Sequence, residues 1–137
     1  MTLQNPPTPS PSLAKGAEID LCIDKLAFGG KALGRVGGFV VFVDHAIPGQ
    51  RVRVRLTRKK AQFAEGRVVE VLEQSPAYTP PFCPHFGLCG GCQWQDLAYQ
   101  EQLSWKRVHV QECLRRLAGL TPDDIQAATS SPDQRYY

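Results

Sequence analysis

The chain has 137 residues, 42% apolar and 21% charged, and a formal net charge of +3. That composition supports a packed domain and excludes wholesale disorder. The longest apolar run, Phe39 to Val43, is far short of the roughly 20 residues a membrane-spanning helix needs. No apolar stretch follows Met1, so no secretory signal is expected. The expectation is a cytoplasmic monomer with no membrane segment.

Residues 1–16 read as a disordered leader, with prolines at 6, 7, 9 and 11 among Thr, Ser and Asn. Period two begins at residue 17, where Ile19, Leu21 and Ile23 alternate with Glu18, Asp20, Cys22 and Asp24. This is the pattern of a half-buried strand. The glycine-rich connection from Gly29 to Gly38 does not match the phosphate-loop spacing, so it predicts no nucleotide site. Phe39 to Val43 predicts a strand buried by its continuous apolar run. Ile47-Pro48-Gly49 predicts a turn. Arg51 to Leu56 alternates without a fault, which points Val52, Val54 and Leu56 inward and Arg51, Arg53 and Arg55 outward. A last strand spans about 62–73, with Gly66 marking a bulge. Four or five short strands in residues 17–74 predict a small antiparallel barrel, and a basic ladder on one of its strands is what an oligonucleotide-binding barrel would use.

Charge is concentrated within 51–67, where seven basic residues face one acid, Glu65. Such a cluster is the footprint of a polyanion-binding surface, and its plain alternative is a solvated strand face. Arg51, Arg53, Arg55, Arg58, Lys59 and Lys60 are therefore candidate phosphate contacts. Lys31 and Arg35 join them from the glycine-rich connection. Phe63 is a candidate base-stacking ring, with barrel core as the competing assignment.

Residues 75–96 are too rich in proline and glycine for a regular element. They carry Cys83-Pro-His-Phe-Gly-Leu-Cys89-Gly-Gly-Cys92, three of the chain's five cysteines. Thiolate ligands must converge on one centre, and Gly90-Gly91 supplies a sharp bend. The spacing predicts a metal or cluster site. His85 would complete a Cys3His zinc site of unusual spacing, and Cys113 could close a four-cysteine site. Cys113, however, falls on the apolar stripe of a helix expected over 97–120, with Tyr99, Leu103, Val110, Leu114 and Leu117, so a small buried hydrophobe is its simpler role. Asp96 is the expected N-cap and Gly119 the expected stop.

Taken together, Ile23 to Lys31, Gly34-Arg35, Val40 to Val43 and Pro48-Gly49 resemble a TRAM domain, an RNA-binding barrel. The loop from Cys83 to Gln95 and the helix with Tyr99, Gln102-Leu103 and Trp105-Lys106 resemble bacterial ribosomal-RNA uracil-C5 methyltransferases. The resemblance covers about 18–120. It implies a 4Fe–4S cluster on Cys83, Cys89 and Cys92, with the family's fourth cysteine further downstream. The S-adenosylmethionine site, nucleophilic cysteine and catalytic base of that family also lie beyond this chain. It further implies ribosomal RNA as partner, no catalysis by residues 1–137, and 121–137 as the start of a missing central domain. Two alternatives remain at this stage. One is a free-standing zinc- or cluster-bearing RNA module. The other, a radical methylthiotransferase, would place a C-x3-C-x2-C triplet upstream of its barrel.

Overall fold

A computed structural model describes residues 13–132. Within them, residues 13–26 with 31–76 form one compact unit, and 27–30 with 77–132 form another. The expected leader falls largely outside the described residues. Its last residues are ordered, because the Gly16 amide donates to the Leu56 carbonyl at 2.8 Å.

The first unit is a five-stranded closed barrel built from β1 (Glu18–Leu26), β2 (Ala32–Val36), β3 (Phe39–Asp44), β4 (Arg51–Lys59) and β5 (Phe63–Glu73). The strands close in the order β1-β2-β3-β5-β4. The pairings β1–β2, β2–β3, β4–β5 and β1–β4 are antiparallel, as the sequence predicts. The β3–β5 pairing is parallel, with Val40 opposite Phe63 and Asp44 opposite Arg67. Closure leaves no free strand edge in the barrel.

Alternation decides what fills the barrel. Ile19, Leu21 and Ile23 from β1, Val41 and Val43 from β3, and Val52, Val54 and Leu56 from β4 are all buried. Phe39, Val40 and Phe42 are only half-buried. The apolar run of β3 is therefore not covered on both faces: Val41 and Val43 point in, and Phe42 points out. The turn after β3 is fixed by Gln50, whose buried Oε1 accepts from the Ile47 amide at 2.9 Å while Nε2 donates to Gln74 at 2.8 Å.

Gly66 lies where β4 and β5 slip register, opposite Leu56, with the next pairing at Arg58 and Glu65. A Cβ there would collide with Val54 Cγ1 and sit 2.9 Å from the Arg55 carbonyl oxygen. Gly66→Ala should therefore lose about 1–3 kcal/mol by overpacking, measured by denaturant unfolding. An unchanged midpoint would mean that the bulge relaxes around the methyl group.

In the second unit, Ala98 donates to the Ala77 carbonyl and Thr79 to that of Asp96, at 2.8 and 2.9 Å. These bonds tie the start of the cysteine segment to the entrance of a helix, α1 (Tyr99–Ala118). The N-cap residue is Ala98, without a side-chain cap bond, so Asp96 does not serve as the predicted cap. Gln102 does related work from inside the first turn, its Nε2 donating to the Trp94 and Leu97 carbonyls, each at 2.9 Å. Gly119 ends the helix in the left-handed conformation, as predicted. Only Leu103 and His109 of α1 are buried. The apolar stripe read from the sequence is only partly covered: Leu103 is buried, Tyr99, Cys113 and Leu114 are half-buried, and Val110 and Leu117 are exposed.

A candidate nucleic-acid interface and a cysteine loop

The outward ladder on β4 lies where alternation puts it, but it is not free. Arg53 Nε donates to Asp20 Oδ1 at 3.0 Å and its Nη1 to Glu70 at 3.4 Å. Arg55 Nη2 donates to Glu18 at 2.7 Å. Arg51 lies 3.5 Å from Glu73 and 3.9 Å from Asp20, and Arg58 lies 4.0 Å from Glu65. The cause is register: β1 sets Glu18 opposite Arg55 and Asp20 opposite Arg53, and β5 sets Glu70 opposite Arg53 from the other side. The hydrogen bond that Arg53 donates to Asp20, reinforced by the carboxylate's charge, pushes the Arg53 pKa up from its usual value. Lys31 is also engaged, with Glu65 at 3.2 Å and Asp44 at 4.0 Å.

A different face carries uncompensated charge. On the outside of β2, β3 and β5, Arg35 stands opposite Val40, which stands opposite Phe63. One step along, Leu33, Phe42 and Glu65 form the next outward row. Phe42 and Phe63 meet edge to face, centroids 5.7 Å apart. Phe63 is thus an outward, half-buried ring, not barrel core. Lys60 bonds through its amide to the Phe63 carbonyl at 2.8 Å; Lys59, the last residue of β4, pairs with the inward Ala64 and is exposed at the strand's end. Arg35, Lys59, Lys60 and Arg67 are exposed and have no carboxylate partner among the described residues. Phe42 and Arg67 belong to this face and escape the sequence reading. Phe42 is hidden in a continuous apolar run, and Arg67 reaches the face only through the parallel pairing.

The cysteine loop is shaped by two turns, Phe86 bonding to the Cys83 carbonyl at 3.1 Å and Cys89 to that of His85 at 2.9 Å. Cys83 is half-buried, Cys89 and Cys92 are exposed, and all five cysteines are free. Cys83 and Cys92 line one cavity of about 990 Å³, together with Phe82, Trp94, Tyr99 and Lys106. Cys89 Sγ accepts from the Gly91 amide at 3.4 Å. Among the described residues, no three His, Cys, Asp or Glu side chains gather closely enough to hold a metal. Three free thiols lie on this loop, with glycines at its bend, two of them on a common cavity and one accepting from a backbone amide; this is the donor set a metal or cluster site would draw on. His85 is exposed, and Cys113 is half-buried on α1.

The same unit holds the Gly29–Gly30 turn tightly. Gln93 Nε2 donates to the Gly29 carbonyl at 3.0 Å, and Trp94 Nε1 to that of Gly30 at 3.4 Å. A Cβ on Gly30 would collide with the Gln93 carboxamide, and its φ of +97° suits glycine alone. Gly30→Ala should break both bonds and raise proteolysis of this segment, measured by limited digestion. An unchanged digestion pattern would show the clamp to be dispensable.

Comparison with known proteins agrees with this geometry. The TRAM domain family model matches residues 13–69. An uncharacterized RNA methyltransferase of Nitratidesulfovibrio vulgaris is 42% identical over 124 residues, 90% of this chain and 26% of that protein. One from Bacteroides thetaiotaomicron is 38% identical over 112 residues, 82% of this chain and 25% of its own length. A 23S rRNA (uracil-C5)-methyltransferase of Nitrosococcus oceani is 42% identical over 101 residues, 74% of this chain and 23% of its own. The chain thus spans about a quarter of the length of the relatives it matches. No helix among the described residues is long and apolar enough to cross a membrane. Residues 13–69 match the TRAM domain family, and the chain is similar to RNA methyltransferases over about a quarter of their length.

Proposed function

We propose that this chain is the RNA-binding and cluster-bearing part of an S-adenosylmethionine-dependent ribosomal-RNA uracil-C5 methyltransferase. Its own task is to hold RNA. Catalysis, and the S-adenosylmethionine it consumes, belong to the remaining length of such an enzyme. The observation that carries the RNA reading is the Phe42–Phe63 pair on the outer β2–β3–β5 face, bordered by cations that no carboxylate neutralises. Aromatic rings interleaved with free positive charge suit single-stranded RNA, because rings stack bases and cations bind phosphates. The relatives named for RNA methylation, one of them for 23S rRNA, support ribosomal RNA as the partner.

Cys83, Cys89 and Cys92 would hold a 4Fe–4S cluster. Bound there, the group supplies a rigid cross-link and a redox-sensitive centre. The residues around it would fix its surroundings, with Gly91 donating to Cys89 sulfur and Lys106 on the wall of the same cavity.

Fluorescence anisotropy with a short single-stranded RNA tests the RNA reading. Affinity should fall with salt, with a slope of log K against log salt of roughly −2 to −3 if Arg35, Lys59, Lys60 and Arg67 each engage a phosphate. Phe63→Ala should weaken binding by about 1–3 kcal/mol, the value of one base stack, and leave that slope unchanged. Absence of binding at low salt would end the proposal.

A further inference from the structure

Phe28 is 80% exposed, yet it is not on a loose segment. Its neighbours Gly29 and Gly30 are each held through the carbonyl by a side chain, Gln93 and Trp94 respectively. The Gly30 amide also closes the turn onto the Ala27 carbonyl at 3.0 Å. Behind the ring stands His109, buried, edge to face with Phe28 at 6.3 Å between centroids. Trp94 and Trp105 meet the same imidazole at 5.8 and 6.1 Å. Four aromatic rings therefore converge on one point, and the outermost is open to solvent.

We propose that Phe28 is a second RNA contact, a fixed platform on which one unpaired base stacks. The inference rests on the RNA-binding reading above and extends it to the unit that carries the cysteines. Two observations favour a base over a protein partner. The ring meets His109 edge to face, Trp94 and Trp105 meet the same imidazole, and aromatic rings are the surface that nucleobases prefer. Lys106 and Arg107, which follow Trp105 on α1, are exposed and have no carboxylate partner among the described residues, so phosphate-binding charge lies on the same helix as two of the four rings.

The chain's two tryptophans, Trp94 and Trp105, both belong to this cluster. Intrinsic tryptophan emission therefore reports on this site and not on the barrel. Titrating the 137-residue chain with a short single-stranded RNA should change that emission. Phe28→Ala should abolish the change and weaken binding roughly five- to hundredfold, as the loss of one stacked base does, while Phe28→Tyr restores both. Melting temperature should not move in either variant, since the ring is exposed. If wild type binds RNA and Phe28→Ala binds equally well, the ring is no base platform and is left to a protein surface, which overturns the inference but not the RNA reading. If wild type binds no RNA at low salt, both fall together.

Discussion

Reconstituted with iron and sulfide under argon, the chain should turn brown, with broad absorption near ~400 nm from thiolate-to-iron charge transfer. Cys83→Ser, Cys89→Ser and Cys92→Ser should each remove most of that absorption and the bound iron. Three thiolates leave one iron of a four-iron cluster without a cysteine, so the colour should bleach quickly in air. Cys113→Ala should behave differently. Its side chain is half-buried on α1, away from the loop in sequence, and losing it should cost about 1 kcal/mol or less with iron content unchanged. Iron and zinc measured together by elemental analysis decide the matter. A colourless protein with one zinc per chain would sink the cluster, and loss of metal in His85→Ala would then identify the fourth ligand.

How far the sequence carries depends on whether an element is defined locally or by its partners. β4 is legible because Val52, Val54 and Leu56 alternate perfectly with arginines, and all three prove buried. β2 is hidden because it lies inside a glycine-rich stretch. Gly34 is glycine for a packing reason, since a Cβ there would strike the Cys22 carbonyl of β1. β3 reads as buried on both sides only because Phe42 is as apolar as its inward neighbours. The partners of the arginine ladder cannot be read locally at all. Glu18, Asp20 and Glu70 meet Arg55 and Arg53 through pairings between strands distant in sequence. The helix shows the same limit, as its stripe is real by spacing but Leu117 is 86% exposed. Spacing states which residues share a face and leaves open what lies against it. The cysteine motif is legible as chemistry, while the convergence of its sulfurs is not a property of spacing.

Two triple substitutions separate the arginine ladder from the free cations, and they should differ by orders of magnitude. Replacing Arg35, Lys59 and Lys60 by Ser removes three charges that no carboxylate holds. On single-stranded RNA each phosphate contact releases about 0.7 counterion, so each contributes about 0.9 decade of affinity at ~0.05 M salt. Binding should weaken by roughly two to three orders of magnitude, and the salt slope should become shallower by about 2. All three side chains are exposed, so the barrel should melt as before. Replacing Arg51, Arg53 and Arg55 by Ser should have the opposite profile. Those charges are already answered by Asp20, Glu70, Glu18 and Glu73, so few counterions depend on them and the slope should hardly move. Stability should drop modestly instead, since exposed ion pairs contribute between nothing and about 1 kcal/mol each. Anisotropy titrations at several salt concentrations, with thermal melts of the same samples, read both effects. Equal loss of slope from the two triples would mean that the arginines exchange carboxylate for phosphate when RNA arrives. The RNA path would then run across β4, and the acidic side chains of β1 and β5 would be its competitors, so Glu18→Gln with Asp20→Asn should tighten binding.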